Sequence, residues 1–492
     1  MPKETSLYSR LGVPTDASPE EVRRAYREAA RKLHPDINQK PGETELFIGI
    51  QEAYDILSNP DQRMAYDNNL SPDVFAQPVQ VNTLYSRASL TRSKEPQLIY
   101  VLLELTARPD SKKPIGAPPL NTSLVIDCST SMQGVIMDTV KSTAIELLHQ
   151  MRAEDIISIV AFSDRAEVVL PAGSQLNAKQ IEMGIRMLQS RGGTEIFRGL
   201  EAAYHEIARF RDDKHTNQII LITDGRTYGD EADCIKLAQQ ASIEGVEISG
   251  LGIGDKWNDE FMDKLTSITG GSSIYVTTPK DIRDYLKDKF HNLSQRYAEN
   301  VKLDYNKPAN VDLRYVFRIQ PETMHLATGS PIQIGSIPRE ASANLLMEFL
   351  VTSLPAADRA VLLPGRFFLE VPLQAKSQIS IRLELERPIT KEPDRTPPPA
   401  ALVQAMSKLT IYRMQERARQ EISQGKVKDA TRHLQNIATR LMADGQNDLA
   451  RTVLKEIGHV EKKQALSDGG GKRIKYGTRG LVMLPATVKQ NE

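Results

Sequence analysis

Two short stretches of this chain carry side chains whose types and spacing suit chemistry. The first is Asp127-Cys128-Ser129-Thr130-Ser131, directly after the apolar run Leu124-Val125-Ile126. A carboxylate and two hydroxyls at alternate positions are hard oxygen donors, the kind a small divalent cation prefers. The blander reading is a cap for a helix beginning near Met132. The second stretch is His34-Pro35-Asp36, after a basic segment holding Arg23, Arg24, Arg27 and Arg31. Arg23, Arg27 and Arg31 recur every four residues, so they share a helix face suited to an acidic partner surface. Alone, such a face is more often simply solvated, with pairs to Glu20 and Glu28. Cys128 has no matching partner and reads as a packed thiol. Trp257, after Gly252-Ile253-Gly254-Asp255-Lys256, is equally open to a contact role and a packing role. No GxSxG, HExxH or CxxC occurs, Gly252-Ile253-Gly254 is too short for a nucleotide fingerprint, and the histidines show no metal spacing.

These residues need elements to hold them. Leu7, Tyr8 and Leu11 form a short apolar set ending at Gly12; Ser18-Pro19-Glu20-Glu21 then opens a helix with Val22, Ala25, Tyr26, Ala29 and Leu33 on one stripe. Proline ends that helix, because it disfavours the helical conformation of the residue before it. A third helix carries Phe47, Ile50, Ala53, Tyr54 and Leu57, and a fourth runs to about Leu70. Residues 71–97, with Pro72, Pro78 and Pro96, read as a linker, and 98–120 as a strand region. From Asn121 to Leu293, short apolar runs (124–126, 156–162, 219–222 and 248–253) alternate with helical segments, the pattern of a doubly wound α/β unit. Residues 294–390 hold strand-like runs and read as a β-sandwich, which the strand near residue 100 joins if the α/β unit is inserted in it. A proline-rich linker (391–399), a helical bundle (400–465) and a flexible basic tail (466–492) complete the expectation. The fold class is multidomain α+β.

Residues 5–70 resemble the J domain of DnaJ-class co-chaperones. Tyr8, Leu11-Gly12-Val13, the basic second helix, His34-Pro35-Asp36, the third-helix set, Arg63 and Tyr66-Asp67 carry the match. The resemblance implies docking on a DnaK-type chaperone and stimulation of its ATPase, with the tripeptide required and the arginines facing the partner.

Residues 121–293 resemble a von Willebrand factor A domain. Besides the Asp127 stretch, the matching pieces are Thr194 after Gly192-Gly193, and Asp224 in Thr223-Asp224-Gly225. The resemblance implies that Asp127, Ser129, Ser131, Thr194 and Asp224 form a metal-ion-dependent adhesion site. Magnesium would bind there, and an acidic residue of a protein ligand would complete its shell.

Lys+Arg and Asp+Glu both number 63, so zero net charge draws the chain to neither nucleic acid nor an acidic membrane. Two cysteines, and no apolar run of signal-peptide or membrane-spanning length, suggest a cytoplasmic protein. The expected function is non-enzymatic: a co-chaperone whose A domain selects the client. The alternative is a metal-dependent scaffold or assembly factor, for example one linked to an AAA ATPase, with the J domain as a docking module.

Overall fold

The computed structural model describes residues 7–33, 43–69, 78–108, 116–173, 178–227, 229–374 and 378–482. Four helices come first: α1 (Leu7–Leu11), α2 (Pro19–Leu33), α3 (Glu43–Ser58) and α4 (Pro60–Asn69). Ser18 starts α2 through a reciprocal cap. Its amide donates to Glu21 Oε2 at 2.8 Å and its hydroxyl accepts from the Glu21 amide at 3.2 Å. The apolar stripe closes on a core of Leu7, Tyr8, Leu11, Val22, Ala53 and Leu57. Arg63 on α4 ties the unit together, donating to the Tyr8 hydroxyl at 2.9 Å and to the carbonyls of Ala17 at 2.7 Å and Thr15 at 2.9 Å.

Strands β1 (Val79–Tyr85), β2 (Leu90–Thr91) and β3 (Gln97–Ala107) follow. The expected linker over 71–97 is therefore corrected: its described part contains two strands. β1 pairs antiparallel with β3 from Val79↔Ala107 to Tyr85↔Val101. Pro78 and Pro96 stand just before β1 and β3, where no ladder donor is lost, so they flank strands without breaking them.

The α/β unit comprises β4 (Leu120–Asp127), α5 (Val135–His149), β5 (Ile156–Phe162), β6 (Ala166–Leu170), α6 (Ala178–Arg186), α7 (Ile196–Ala208), β7 (Thr216–Thr223), α8 (Glu231–Ile243), β8 (Glu247–Ile253), α9 (Asp259–Ile268), β9 (Ser273–Val276) and α10 (Pro279–Ser294). Its sheet order is β6-β5-β4-β7-β8-β9, parallel except for β5–β6. β4 and β7 are buried along their whole length between apolar clusters on both faces. That double burial is why these strands read as continuous apolar runs.

β10 (Arg296–Tyr305), β11 (Val311–Gln320), β12 (Met324–Leu326), β13 (Ile332–Pro338), β14 (Ser342–Val351), β15 (Arg359–Glu370) and β16 (Gln378–Thr390) complete two five-stranded sheets, ordered β1-β3-β14-β11-β12 and β13-β10-β15-β16-β2. β3 precedes the α/β unit and β14 follows it, yet they pair, with Leu103 opposite Leu345. The α/β unit is thus an insertion in the sandwich. A buried polar seam joins the two: the Lys289 ammonium lies 2.8 Å from Glu322 and 3.3 Å from Glu247, and Arg296 lies 2.9 Å from Glu247.

Gly271 marks a close approach at this seam, because a Cβ there would overlap the Ile248 carbonyl, which is backbone and cannot swing away. Gly271→Ala is expected to destabilise the chain by about 1–3 kcal/mol, measured as a lowered midpoint in thermal melting. An unchanged midpoint would mean that the strand ends give way freely.

The C-terminal helices are α11 (Ala400–Ser423), α12 (Val427–Ala443), α13 (Asn447–Lys463) and α14 (Asp468–Gly480). The expected flexible tail from 466 is corrected as far as residue 482: it holds a capped, buried helix. Ser467 caps α14 by accepting from the Gly470 amide at 3.0 Å. Lys472, Lys475 and Arg479 are only 4%, 4% and 3% exposed. Glycines fit here because a Cβ at Gly469 or Gly470 would strike the carboxylates of Asp255 or Glu456. No helix among the described residues is long and apolar enough to cross a membrane.

Candidate functional site

β4 ends at Asp127, which is fully buried, and the chain turns there into the loop that carries the serines. Both Asp127 oxygens are held. Oδ1 accepts from the Ser129 amide at 2.7 Å, and Oδ2 accepts from the Thr223 hydroxyl at 2.6 Å. The Ser129 and Ser131 hydroxyls lie 3.1 Å apart, and Ser131 donates to Asp224 Oδ1 at 2.7 Å. Thr194 reaches the same place from the loop before α7. A Cβ on Gly225 would stand 2.8 Å from its hydroxyl, so glycine beside Asp224 admits the threonine. Gly192, at φ +77°, lets that loop pass Asp164, whose Oδ1 would be 2.8 Å from a Cβ. Backbone bonds fix the loop: the Arg191 amide donates to Cys128 O at 2.6 Å and the Glu195 amide to Ser163 O at 2.7 Å.

The structure therefore gathers Asp127, Ser129, Ser131, Thr194 and Asp224 at the C-terminal edge of the sheet, where open α/β sheets bind ligands. Burial pushes the Asp127 carboxyl up to about 6, although the Thr223 and Ser129 hydrogen bonds oppose it. Burial also raises Asp224, against the Ser131 hydrogen bond. The two carboxyls are hydrogen-bonded by hydroxyls and an amide, with the Lys256 charge acting on Asp224, and a bound cation would relieve their desolvation further. The donor set is two carboxylates and three hydroxyls, all hard oxygen. Among the described residues there is no cluster of three His, Cys, Asp or Glu side chains that would suggest a different kind of metal site.

Thr223 is a residue that motif reasoning passed over. It appears in the Thr223-Asp224-Gly225 tripeptide, but only the structure shows it orienting Asp127. Cys128 is buried, and burial raises its thiol to about 12, in keeping with a packed side chain. Trp257 is 1% exposed and its indole donates to Gly254 O at 2.8 Å, so it packs and presents no contact surface.

On the first unit, Arg23, Arg24, Arg27 and Arg31 are all exposed on α2. His34, Pro35 and Asp36 lie outside the described residues.

Three family models match: DnaJ domain at residues 6–67, von Willebrand factor type A domain at 123–288, and Sll0103-like, C-terminal alpha-helical domain at 400–484. The uncharacterized protein sll0103 of Synechocystis is 26% identical over 385 residues, covering 76% of this chain and 90% of that protein. The chaperone protein DnaJ of Streptococcus uberis is 49% identical over 63 residues, covering 13% of this chain and only 17% of that protein. A von Willebrand factor type A structure from Catenulispora acidiphila aligns with TM-score 0.64 at 16% identity, over 82% of this chain and 96% of that one. The ArnB paralog VWA2 of Sulfolobus acidocaldarius aligns with TM-score 0.53 at 17% identity, over 83% and 100%. At such identities these structures share the fold alone. The chain thus carries, in order, a DnaJ domain, a von Willebrand factor type A domain and a Sll0103-like C-terminal helical domain.

Proposed function

We propose that this protein is a cytoplasmic, non-enzymatic co-chaperone. Its J domain recruits a DnaK-type chaperone and stimulates ATP hydrolysis through His34, Pro35 and Asp36, with Arg23, Arg24, Arg27 and Arg31 meeting an acidic surface. Its A domain holds magnesium with Asp127, Ser129, Ser131, Thr194 and Asp224, and binds a client or complex through an acidic residue that completes the metal shell. Neither step is chemistry on a substrate; the ATP hydrolysis belongs to the partner.

The observation that supports this reading best is the convergence of five oxygen-bearing side chains from three loops, Thr194 placed there by its approach to Gly225, on a chain whose J domain keeps its arginine face exposed. Neutral hydroxyls dominate the direct ligands, so a bound metal stays electrophilic enough to take an acidic side chain from a partner. When bound, magnesium supplies a positive centre at the sheet edge. Thr223 and the Ser129 amide orient Asp127, and Ser131 orients Asp224.

Titration of the protein with magnesium by calorimetry tests the metal half directly. Saturable binding is expected, and Asp224→Ala should abolish it. Thr223→Val removes the hydroxyl that orients Asp127 and should weaken binding by about 10–100-fold, the usual size of an outer-shell effect. No magnesium uptake by the wild-type chain, or equal uptake by Asp224→Ala, would remove the metal from the function.

A further inference from the structure

The J domain does not simply trail from the rest of the chain. Asp16, in the loop before α2, and Glu21, in its first turn, both meet Arg366 on β15. The guanidinium Nη2 donates to the two Glu21 oxygens at 2.9 Å each, and Nη1 donates to Asp16 Oδ1 at 3.3 Å. The second Asp16 oxygen accepts the Arg382 amide on β16 at 2.9 Å.

The sandwich surface is made for an acidic visitor. Arg366 and Arg382 stand directly opposite each other across β15 and β16. Like charges in that position repel. Besides Asp16, Glu384 lies 3.0 Å from the Arg382 guanidinium. The residue opposite Arg366 on its other flank, Asp304, accepts instead from the Ser330 hydroxyl at 2.6 Å. Among the described residues, the strand beyond β16 is β2, which covers only Ile389 and Thr390. The Arg382 amide is therefore an edge donor, and Asp16 covers it. Arg366 is only 14% exposed, and Asp16 and Glu21 are 25% and 29% exposed, so water does not fully screen the contact.

Glu21 has two tasks at once. It accepts the Ser18 amide that caps α2, and it accepts Arg366. The clip thus grips α2 at its first turn and leaves the arginines further along the helix exposed. Only residues 70–77 separate the described end of the J domain from Pro78. So short a tether gives an effective concentration of about millimolar, enough for a modest contact to stay closed.

We propose that Arg366 is a positioning residue: it clips the J domain to the sandwich through Asp16 and Glu21, arginine face outward. Given the co-chaperone reading, on which this last step rests, the clip fixes where the DnaK-type chaperone stands relative to the A domain. The clip itself is testable without any chaperone.

Single-molecule energy transfer between dyes at Gln62→Cys and Ser353→Cys, in the full chain, reads the separation of the J domain and the sandwich. Wild type should give one narrow distribution. Arg366→Glu should broaden it, with the undocked population rising about tenfold or more, since each charge-assisted hydrogen bond is of that order. Arg366→Lys keeps the charge and should restore most of the docked state. Salt at 1 M should loosen wild type but not loosen Arg366→Glu further, since in the variant it screens a repulsion. A broad wild-type distribution, or a narrow one in Arg366→Glu, overturns the proposal. Circular dichroism melting of the same variants separates release of the clip from unfolding: an Arg366→Glu chain whose sandwich has melted would make Arg366 a folding residue and overturn the assignment too.

Discussion

His34→Gln is expected to return a DnaK-type chaperone to its unstimulated rate of ATP hydrolysis, a complete loss of the effect of the wild-type chain. His34 directly follows Leu33, the last residue of α2, and lies outside the described residues. The core rests on Leu7, Tyr8, Leu11, Val22, Ala53 and Leu57, and the tie between α4 and the rest rests on Arg63. The substituted domain should therefore melt like wild type. Replacing Arg27 with alanine should act differently. It removes one charge from an exposed face, so it should weaken association and flatten its salt dependence while leaving the plateau rate near that of wild type. Steady-state ATP turnover against co-chaperone concentration separates the two effects. No stimulation by either the wild-type chain or His34→Gln would leave the J domain as a docking module and favour the scaffold alternative, and full stimulation by His34→Gln would take the tripeptide out of the mechanism.

The second large effect concerns α14. Lys475 lies 2.7 Å from both Asp259 and Asp263 on α9, Arg479 pairs with Asp263, and Arg419 from α11 lies 2.8 Å from Asp259. The Lys475 and Arg479 side chains are nearly dry, so removing a partner leaves an uncompensated buried charge at about 3–5 kcal/mol. Asp263→Asn should undock α14 from the A domain at neutral pH. The reporter is built in: Trp257, the only tryptophan in the chain, has the Lys472 ammonium 5.4 Å from its ring centroid and Tyr476 packed alongside. Its emission should shift to the red in the variant; emission identical to wild type would show that the pair does not hold the helix.

Acid should do the same to the wild-type chain. Burial alone would raise the Asp259 carboxyl, but the Arg419 hydrogen bond and the Lys475 charge outweigh it and hold it at about 2, below its ordinary 3.8. Arg479 and Lys475 likewise hold Asp263 well below the carboxylate range. A carboxyl depressed by docking stabilises the docked state fully above its undocked value and loses that contribution as pH falls through the docked one. The Trp257 signal should thus be flat from neutrality to about pH 4 and move below it.

The candidate metal centre was legible because its residues are concentrated in short motifs beside strands that bury both faces. Asp127, Ser129 and Ser131 alternate after β4, and Asp224 follows β7. Thr223 was not legible as a site residue, since its orientation toward Asp127 depends on the pairing of β4 with β7 and leaves no mark in spacing. α14 was misread for a different reason. Gly469, Gly470 and Gly471 suggest flexibility, whereas glycine is used there for close approach to Asp255 and Glu456. β1 and β2 were hidden by prolines that stand at strand boundaries, and β2 is only two residues long. The docking of Asp16 and Glu21 on Arg366 has no local signature, because its two sides lie some 350 residues apart in the chain.

The insertion of the A domain between β3 and β14 also sets a schedule for synthesis. The β1–β3 pair is complete at Ala107, but Ser342, the first residue of the strand that covers β3, is made 235 residues later. At about 5–20 residues per second, β3 waits roughly 12–47 s with an apolar edge open. A lone two-stranded hairpin is marginal in water, and an uncovered edge invites pairing with other chains. The nascent chain therefore passes through an aggregation-exposed interval that the finished sandwich conceals, and the length of that interval is set by the inserted domain.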